Sequence, residues 1–387
     1  MSKRKSVRKR YRFDSILKNL GVTAIFIACL FLVVLLGSII IKASSAFIVY
    51  QIKVDIPKAI EMNKMVNENE ANQFLQNYIG SSNSYLEFFS IAAAEKIVDL
   101  AKQGKLEGEI WLPASAKLND KLAGYKGKEF TKSAEQEITK LNVKKMFNYN
   151  FFIGKESREP ELAGIATSFI GSLYSIFICI LVSLPISVCA AIYLEEFAPK
   201  NIITSLIEIN INNLAAVPSI VFGLLGLAVL IGIFNLPRSA SITAGITLAM
   251  MILPGIIITT RQAFRTIPTT IKHAALALGA TKMQVILHHT LPLAIPGIMT
   301  GVILSIARAI GETAPLILIG MVAFIVDIPS NVFDPATVMP VQIFLWADSP
   351  EYGFQAKTAA AILVLLCILI LINMIAVYIR KKYEHRW

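Results

Sequence analysis

Two opposite charges stand four residues apart inside an apolar run, Arg308 and Glu312 between Gly297 and Val326. At 1.5 Å per residue, Arg308 is about 16 Å along a helix starting at Gly297, near the middle of a hydrocarbon core about 30 Å thick. An arginine at that depth costs about 2.5–3.5 kcal/mol on insertion scales, so it needs a water-filled cavity or a partner. Two readings stay open. The pair can be an intrahelical ion pair that neutralises itself, although the basic-first order is the less favourable one. Alternatively, Arg308 lines a path for an anion. Asn212 and Asn213, in a second apolar run, either line the same path or hydrogen-bond between helices.

A second kind of chemistry is recognition by shape. Between Arg261 and Pro292 the chain turns polar and basic, with Arg261, Arg265, Lys272 and Lys282 and no acid. Thr269-Thr270 can cap a short helix over Ile271–Leu278, which Gly279 would end in a left-handed conformation. Thr281 and Gln284 have the spacing of a capping box that opens a second helix. Pro292 and Pro296 then reset the chain before the next apolar run. The small residues Ala274, Ala275 and Ala277 would allow a partner surface to approach closely. A re-entry loop without a partner is the plainer reading.

The elements that position these residues are membrane helices. The chain has 387 residues, 55% hydrophobic and only 16% charged, with a mean hydropathy of +0.62. Runs long enough to span a bilayer occur at 20–41 and at about 162–194, 203–234, 239–260, 293–326 and 357–380. The first is too long for a signal-peptide core and is expected to remain as an anchor. The basic N-terminus, loop 261–292 and the tail from Arg380 fall on one side. The acidic loop 327–356 falls on the other, as the positive-inside rule requires. Six crossings with both termini cytoplasmic satisfy every short loop except the one at Arg238.

Residues 42–160 form a polar extracytoplasmic segment. A periodic helical stretch is expected over Ser84–Lys102, and strand-like pieces at Glu109–Leu112 and Tyr149–Ile153. The net charge of +11 is clustered beside apolar runs, which points to a membrane rather than to nucleic acid. Cys29, Cys179, Cys189 and Cys367 all lie in apolar runs without a CxxC pair, and His288 and His289 lack a carboxylate partner, so no metal site is indicated. No GxxxxGK[ST] motif occurs; Gly124-Tyr125-Lys126-Gly127-Lys128 is too short.

His273-Ala274-Ala275, three residues, Gly279, and then Leu291-Pro292 resembles the EAA coupling loop of ABC importer permeases. That loop reads Glu-Ala-Ala, three residues, Gly, nine residues, Ile, one residue, Leu-Pro. His273 and His289 stand at its Glu and Ile positions. The run Ala307-Arg308-Ala309-Ile310-Gly311-Glu312-Thr313-Ala314-Pro315 is similar to the corresponding helix of phosphate-specific importer permeases. So is Asn212-Asn213-Leu214-Ala215-Ala216-Val217-Pro218-Ser219, and so is Ser157-Arg158-Glu159-Pro160-Glu161-Leu162. The likeness is strongest to the A-type permease subunit of that family and runs from about Asn142 to the C-terminus.

The resemblance implies an all-α membrane protein of the type I ABC importer permease kind, with an α or α+β insertion between the first two helices. Residues 1–41 would be the cytoplasmic N-terminus and first span, 42–160 the extracytoplasmic domain, and 161–387 a five-helix permease domain with coupling loop 261–292. It implies a bacterial inner-membrane permease subunit for inorganic phosphate, or for another oxyanion or small solute, that is not itself an enzyme. Arg308, Glu312, Thr313, Asn212 and Asn213 would line the path. His273, Ala274, Ala275, Gly279, Leu291 and Pro292 would dock on an ATPase. The implied partners are a second permease, a cytoplasmic ATP-binding subunit dimer and an extracytoplasmic phosphate-binding protein, besides membrane lipid. ATP and Mg would be bound by the partner ATPase, leaving no cofactor in this chain. An intramembrane enzyme and a sensor built on 42–160 are rival classes; the first lacks catalytic motifs and the second leaves the coupling loop without a role.

Overall fold

The computed structural model describes residues 2–56, 67–79, 85–102, 108–122, 138, 141–325 and 327–383. The sequence Gly124–Lys128 and the tail after Tyr383 lie outside the described residues. Among the described residues five helices are long and apolar enough to span a membrane: Asp14–Ser44 within helix α1 (Ser2–Ser44), Ala166–Phe197, Ser241–Arg265, Lys282–Gly311 and Gly353–Lys382. A sixth apolar stretch is a bent pair, Ile202–Ala215 and Ser219–Ile231, at 104° to each other. Pro218 sits at the bend. Its ring removes an N–H and disfavours helical backbone at Val217, so the helix breaks there.

Contacts between the helices decide whether the bent pair crosses. In α6 (Ala166–Ile192, continued by a wide turn at Tyr193–Phe197), Gly171 accepts a hydrogen bond from Ser241, and Glu195 pairs with Arg261 and Arg265. Helix α9 (Ser241–Arg265) therefore starts and ends level with α6 and runs parallel to it. Two parallel neighbours need a return crossing between them. The bent pair, α7 (Ile202–Ala215) and α8 (Ser219–Leu225, with its extension Gly226–Ile231), supplies it. The described helices thus supply five spans and, with the bent pair counted as one, a sixth.

Span α11 (Lys282–Gly311) runs antiparallel to α9, in contact at small residues. A methyl group built on Gly297 would come 2.6 Å from the Ala263 Cβ, and one on Gly301 would collide with Thr259. Gly255 lies opposite Ser305. Such close approach is how membrane helices associate when apolar burial gives no driving force. The second crossing contact is α8 against the short helix α12 (Ala314–Leu318). Gly223 would meet Pro315, and Gly226 would meet Thr247 and Ile319.

The polar segment has its own core. Strand β1 (Ile48–Ile56) is flanked by β2 (Gly108–Pro113) and β3 (Val143–Phe147) in an antiparallel sheet of order β2-β1-β3. Ile52, Val54 and Ile56 are buried in it at a spacing of two. Helices α2 (Glu68–Ile79), α3 (Ile91–Lys102) and α4 (Ala116–Leu122) add Leu75, Ile97 and Leu118 to that core. This domain is tied to the helical body. The Ala116 N–H donates to Glu161 over 2.5 Å, and a methyl group built on Gly353 of α14 (Tyr352–Tyr383), the helix after α13 (Met339–Asp348), would meet the Ala116 Cβ at 3.0 Å.

Several expectations are corrected. Tyr149–Ile153 is not a strand. Asn150–Ile153 forms a helical turn, α5, because the Asn148 side chain accepts from the Phe151 N–H and diverts the backbone from the sheet. The helix expected within Ser84–Lys102 is a 3-10 turn at Tyr85–Glu87 followed by α3. Helix α10 (Thr269–Ala277) starts directly after Pro268 without a threonine side-chain cap. Pro292 does not interrupt the chain. A wide turn over Ile286–Thr290 precedes it, and the Leu291 N–H bonds back to Ile286, which makes room for the ring inside one continuous span. The run from Gly297 does not continue to Val326; its helix ends at Gly311.

Candidate functional site

Arg308 lies in the last turn of α11, where the unpaired carbonyls of a helix end favour a cation. Ser305 sits opposite Gly255 near the middle of α9, which places Arg308 within about one turn of mid-span. Its side chain is 52% exposed. Thr300, Leu304, Arg308 and Gly311 form one exposed stripe, spaced four, four and three. Hydrocarbon does not accept a half-exposed guanidinium at this level, so the stripe needs water or another polypeptide against it.

Glu312 is not in the same helix. Its backbone is extended (φ −81°, ψ 125°), and Arg308 Nε stands 3.5 Å from Glu312 Oε1, the outer limit of a hydrogen bond. The intrahelical pair is therefore replaced by a loose contact across a helix break. Thr313 directly precedes α12, which the close approach of Pro315 to Gly223 holds against α8. Asn212 and Asn213 are exposed near the end of α7, before the bend at Pro218. Among the described residues no hydrogen bond joins them to Arg308 or Glu312.

The connection after Arg265 folds as a rigid corner. Gly279 takes φ +88°, the Ala280 N–H bonds to Ala275 and the Gly279 N–H to Leu276, closing α10 with a Schellman motif. Thr281 and Gln284 form the reciprocal capping box that their spacing predicts. His273 and Ala274 are exposed, but Ala275 is buried under the α10 turn rather than offered to a partner. Leu291 is half-buried, and Pro292 is exposed at the head of the main part of α11. The corner presents apolar side chains outward: Leu278 is 90% exposed, and Leu276, Met283 and Leu287 are exposed beside it.

Behind this corner is an ion-pair network that the reading of loop charges missed. Arg261 reaches Glu208 over 2.5 Å and Glu195 over 3.4 Å; Arg265 holds Glu195 over 2.9 Å; Lys272 on α10 holds Glu196 over 2.5 Å. The network ties α10 to the end of α6, and α9 to α6 and α7. Glu195, Glu208, Arg261 and Arg265 also line a cavity of about 400 Å³. The available signal was Glu208, a lone acid in an apolar run.

At the opposite end, Glu156 is buried against the loop after α12. It accepts from the Ile325 N–H over 2.8 Å. With the Gln342 amide turned so that its nitrogen faces the carboxylate, Gln342 donates to Glu156 over 3.2 Å and accepts from Trp346 over 2.7 Å. Burial pushes the Glu156 carboxyl above the usual range, partly opposed by these two donors.

Among the described residues no group of three or more His, Cys, Asp or Glu is arranged to hold a metal ion, and the four cysteines are unpaired.

Residues 183–385 match the family model described as the binding-protein-dependent transport system inner membrane component, and residues 4–105 match a domain of unknown function, DUF3333. The chain is 30% identical over 215 residues to a probable ABC transporter permease protein, YqgI, of Bacillus subtilis, covering 53% of this chain and 73% of the relative. It is 31% identical over 228 residues to the phosphate transport system permease protein PstA of Yersinia pestis, covering 57% and 74%. A probable phosphate transport system permease protein PstC of Methanocaldococcus jannaschii is 28% identical over 267 residues, covering 62% and 82%. With five apolar helices and a bent pair long enough for a sixth crossing, and a family match over more than half its length, the chain belongs to the binding-protein-dependent transport system inner membrane components.

Proposed function

We infer that the chain is a permease subunit of an ATP-driven importer of inorganic phosphate, of the A type, in a bacterial inner membrane. The placement of Arg308 carries the reading of an anion path: a guanidinium near mid-span, on an exposed stripe, loosely held by Glu312. A forked cation of this kind suits a tetrahedral oxyanion, lowering its desolvation cost and offering paired donors to its oxygens. The relatives named as phosphate transport permeases support phosphate over other oxyanions.

A second permease would cover the Arg308 stripe and close the path between the two subunits. A cytoplasmic ATPase dimer would receive the corner at Gly279, with Leu278 as the apolar knob. An extracytoplasmic phosphate-binding protein would deliver the solute at the opposite mouth. The basic side chains at Arg261, Arg265, Lys272, Arg380 and Lys381 support a cytoplasmic location for that end and for both termini. ATP and Mg would reside in the ATPase, and this chain would move without hydrolysing anything itself.

The test is uptake by the assembled complex in vesicles, driven by internal ATP. Radiolabelled phosphate should accumulate only with binding protein present, and excess sulfate should leave the rate unchanged. Sulfate accumulation with no phosphate uptake would refute the phosphate assignment while leaving the family intact.

A further inference from the structure

Aromatic side chains are concentrated at one place outside the helical body. Phe47, Phe152 and Phe147 stack as three near-parallel rings, with centroids 5.9 and 6.0 Å apart and interplanar angles of 11° and 10°. Tyr149 stands edge-on to Phe147 at 4.9 Å. The group points away from the protein: Phe147 is 49% exposed, Tyr149 68%, Phe152 40% and Ile153 72%. Phe151, between them, is fully buried and anchors the turn from beneath. A cluster of this size on a water-facing surface would be an apolar patch without a cover.

Its height follows from the chain around it. Phe47 is three residues beyond Ser44, the last residue of α1. The Asn148 N–H donates to the Phe47 carbonyl over 2.9 Å, and its side chain donates to Ala46 over 2.9 Å. The Ile165 N–H donates to Phe151 over 2.9 Å, one residue before α6 begins. The aromatic group is thus level with the ends of two membrane spans. Along β3 the exposed Lys145 lies two residues further from the membrane than Phe147, about 7 Å higher. Apolar rings at the end of the spans with a cation above them follow the order of acyl chain, carbonyl belt and phosphate across a leaflet.

We propose that Phe147, Tyr149, Phe152 and Ile153 insert into the boundary between acyl chains and headgroups of the extracytoplasmic leaflet, seating the β1–β3 domain on the bilayer. The neighbouring span supports lipid as the occupant. Helix α1 is exposed around its whole circumference from Asp14 to Val34, so the bilayer already surrounds the element from which this cluster emerges. Seated in this way, the domain is held by lipid on one side and by Glu161 and the close approach of Gly353 to Ala116 on the other, so it keeps a fixed tilt over the outer mouth.

The test places single cysteines at Ile153 and Tyr149 in the full chain, with the four native cysteines replaced by alanine. Each is spin-labelled after reconstitution into nanodiscs of phosphatidylethanolamine and phosphatidylglycerol. Collision with oxygen, which concentrates in acyl chains, is compared with collision with a water-soluble nickel chelate. Labels at Ile40 on α1 and Glu109 on β2 give the lipid and water references; both side chains are exposed. Labels at 149 and 153 should favour oxygen several-fold more than the label at 109 and approach the value at 40. A preference for nickel equal to that at 109 would overturn the proposal. So would exclusion of both reagents, because a protein surface would then be covering the cluster.

Discussion

Replacing Arg308 by glutamine separates an anion contact from a structural ion pair, because the two roles differ in magnitude. The Arg308–Glu312 contact is 3.5 Å long and the arginine is half-exposed, so its loss costs at most about 1 kcal/mol of stability. Insertion and assembly of the subunit should survive. A charge-assisted hydrogen bond from the guanidinium to a passing anion contributes about 1.5–3 kcal/mol. Its loss predicts an initial uptake rate lower by roughly tenfold to a hundredfold, at about 1.4 kcal/mol per factor of ten. The assay is phosphate uptake by reconstituted complex, normalised to assembled permease. The double variant Arg308→Gln/Glu312→Gln carries no orphaned charge, so an ion pair that only neutralises itself predicts recovery. An anion contact predicts that the double variant stays as slow as the single. Near-normal uptake by a well-assembled double variant would refute the path role of Arg308.

Three further outcomes are expected. Gly279→Val forces a β-branched residue to φ +88°, a strain of about 1–3 kcal/mol at the corner; binding-protein-stimulated ATP hydrolysis should fall while membrane insertion remains, and unchanged stimulation would remove the corner from coupling. Arg261→Met leaves Glu208 without its partner, and with that carboxylate one-third exposed the loss is about 2 kcal/mol, visible as a lower melting temperature in detergent that Glu208→Gln added to it partly restores. For Glu156, the raised carboxyl holds its proton more tightly in the folded state, so ionisation disfavours folding as pH rises through and above the ordinary carboxylate range. Glu156→Gln should therefore gain thermal stability relative to the parent as pH rises above about 4.3, the ordinary glutamate value, and a gap independent of pH would contradict the burial argument.

What the residues disclosed depended on the range of the interaction. Gly279, Thr281 and Gln284 act within a few residues of one another, so their turn and capping box could be read directly. The spans were legible because bilayer thickness sets a length that local composition must satisfy. The sheet was not recognised: Ile52, Val54 and Ile56 do alternate, but the strands that pair with β1 lie more than 50 and 85 residues away in sequence. Tyr149–Ile153 has a strand's composition and lost to one hydrogen bond that the Asn148 side chain accepts from the Phe151 N–H. The charges of loop 261–292 were read as bilayer anchors, since Glu195, Glu196 and Glu208 become their partners only after α6, α7 and α9 pack. Arg308 and Glu312 stood out by the rarity of charge in an apolar run, but the end of the helix between them, at Gly311, was not legible there.

The isolation of α1 has a consequence for how its sequence can change. From Asp14 to Val34 every side chain is exposed within the chain, whereas Ile39, Ala43 and Ala46 pack beside α14 and the buried Phe151. No internal neighbour specifies which apolar residue stands at any one of the earlier positions. Substitution there is filtered by hydrophobicity and length, so a stretch of shuffled leucines, valines and isoleucines should substitute for the native order. The last two turns cannot drift in this way, because a residue larger than alanine at position 43 would push the helix off its neighbours. Selection on this helix is therefore graded along its axis, loose from Asp14 to Val34 and strict where it meets the folded domain.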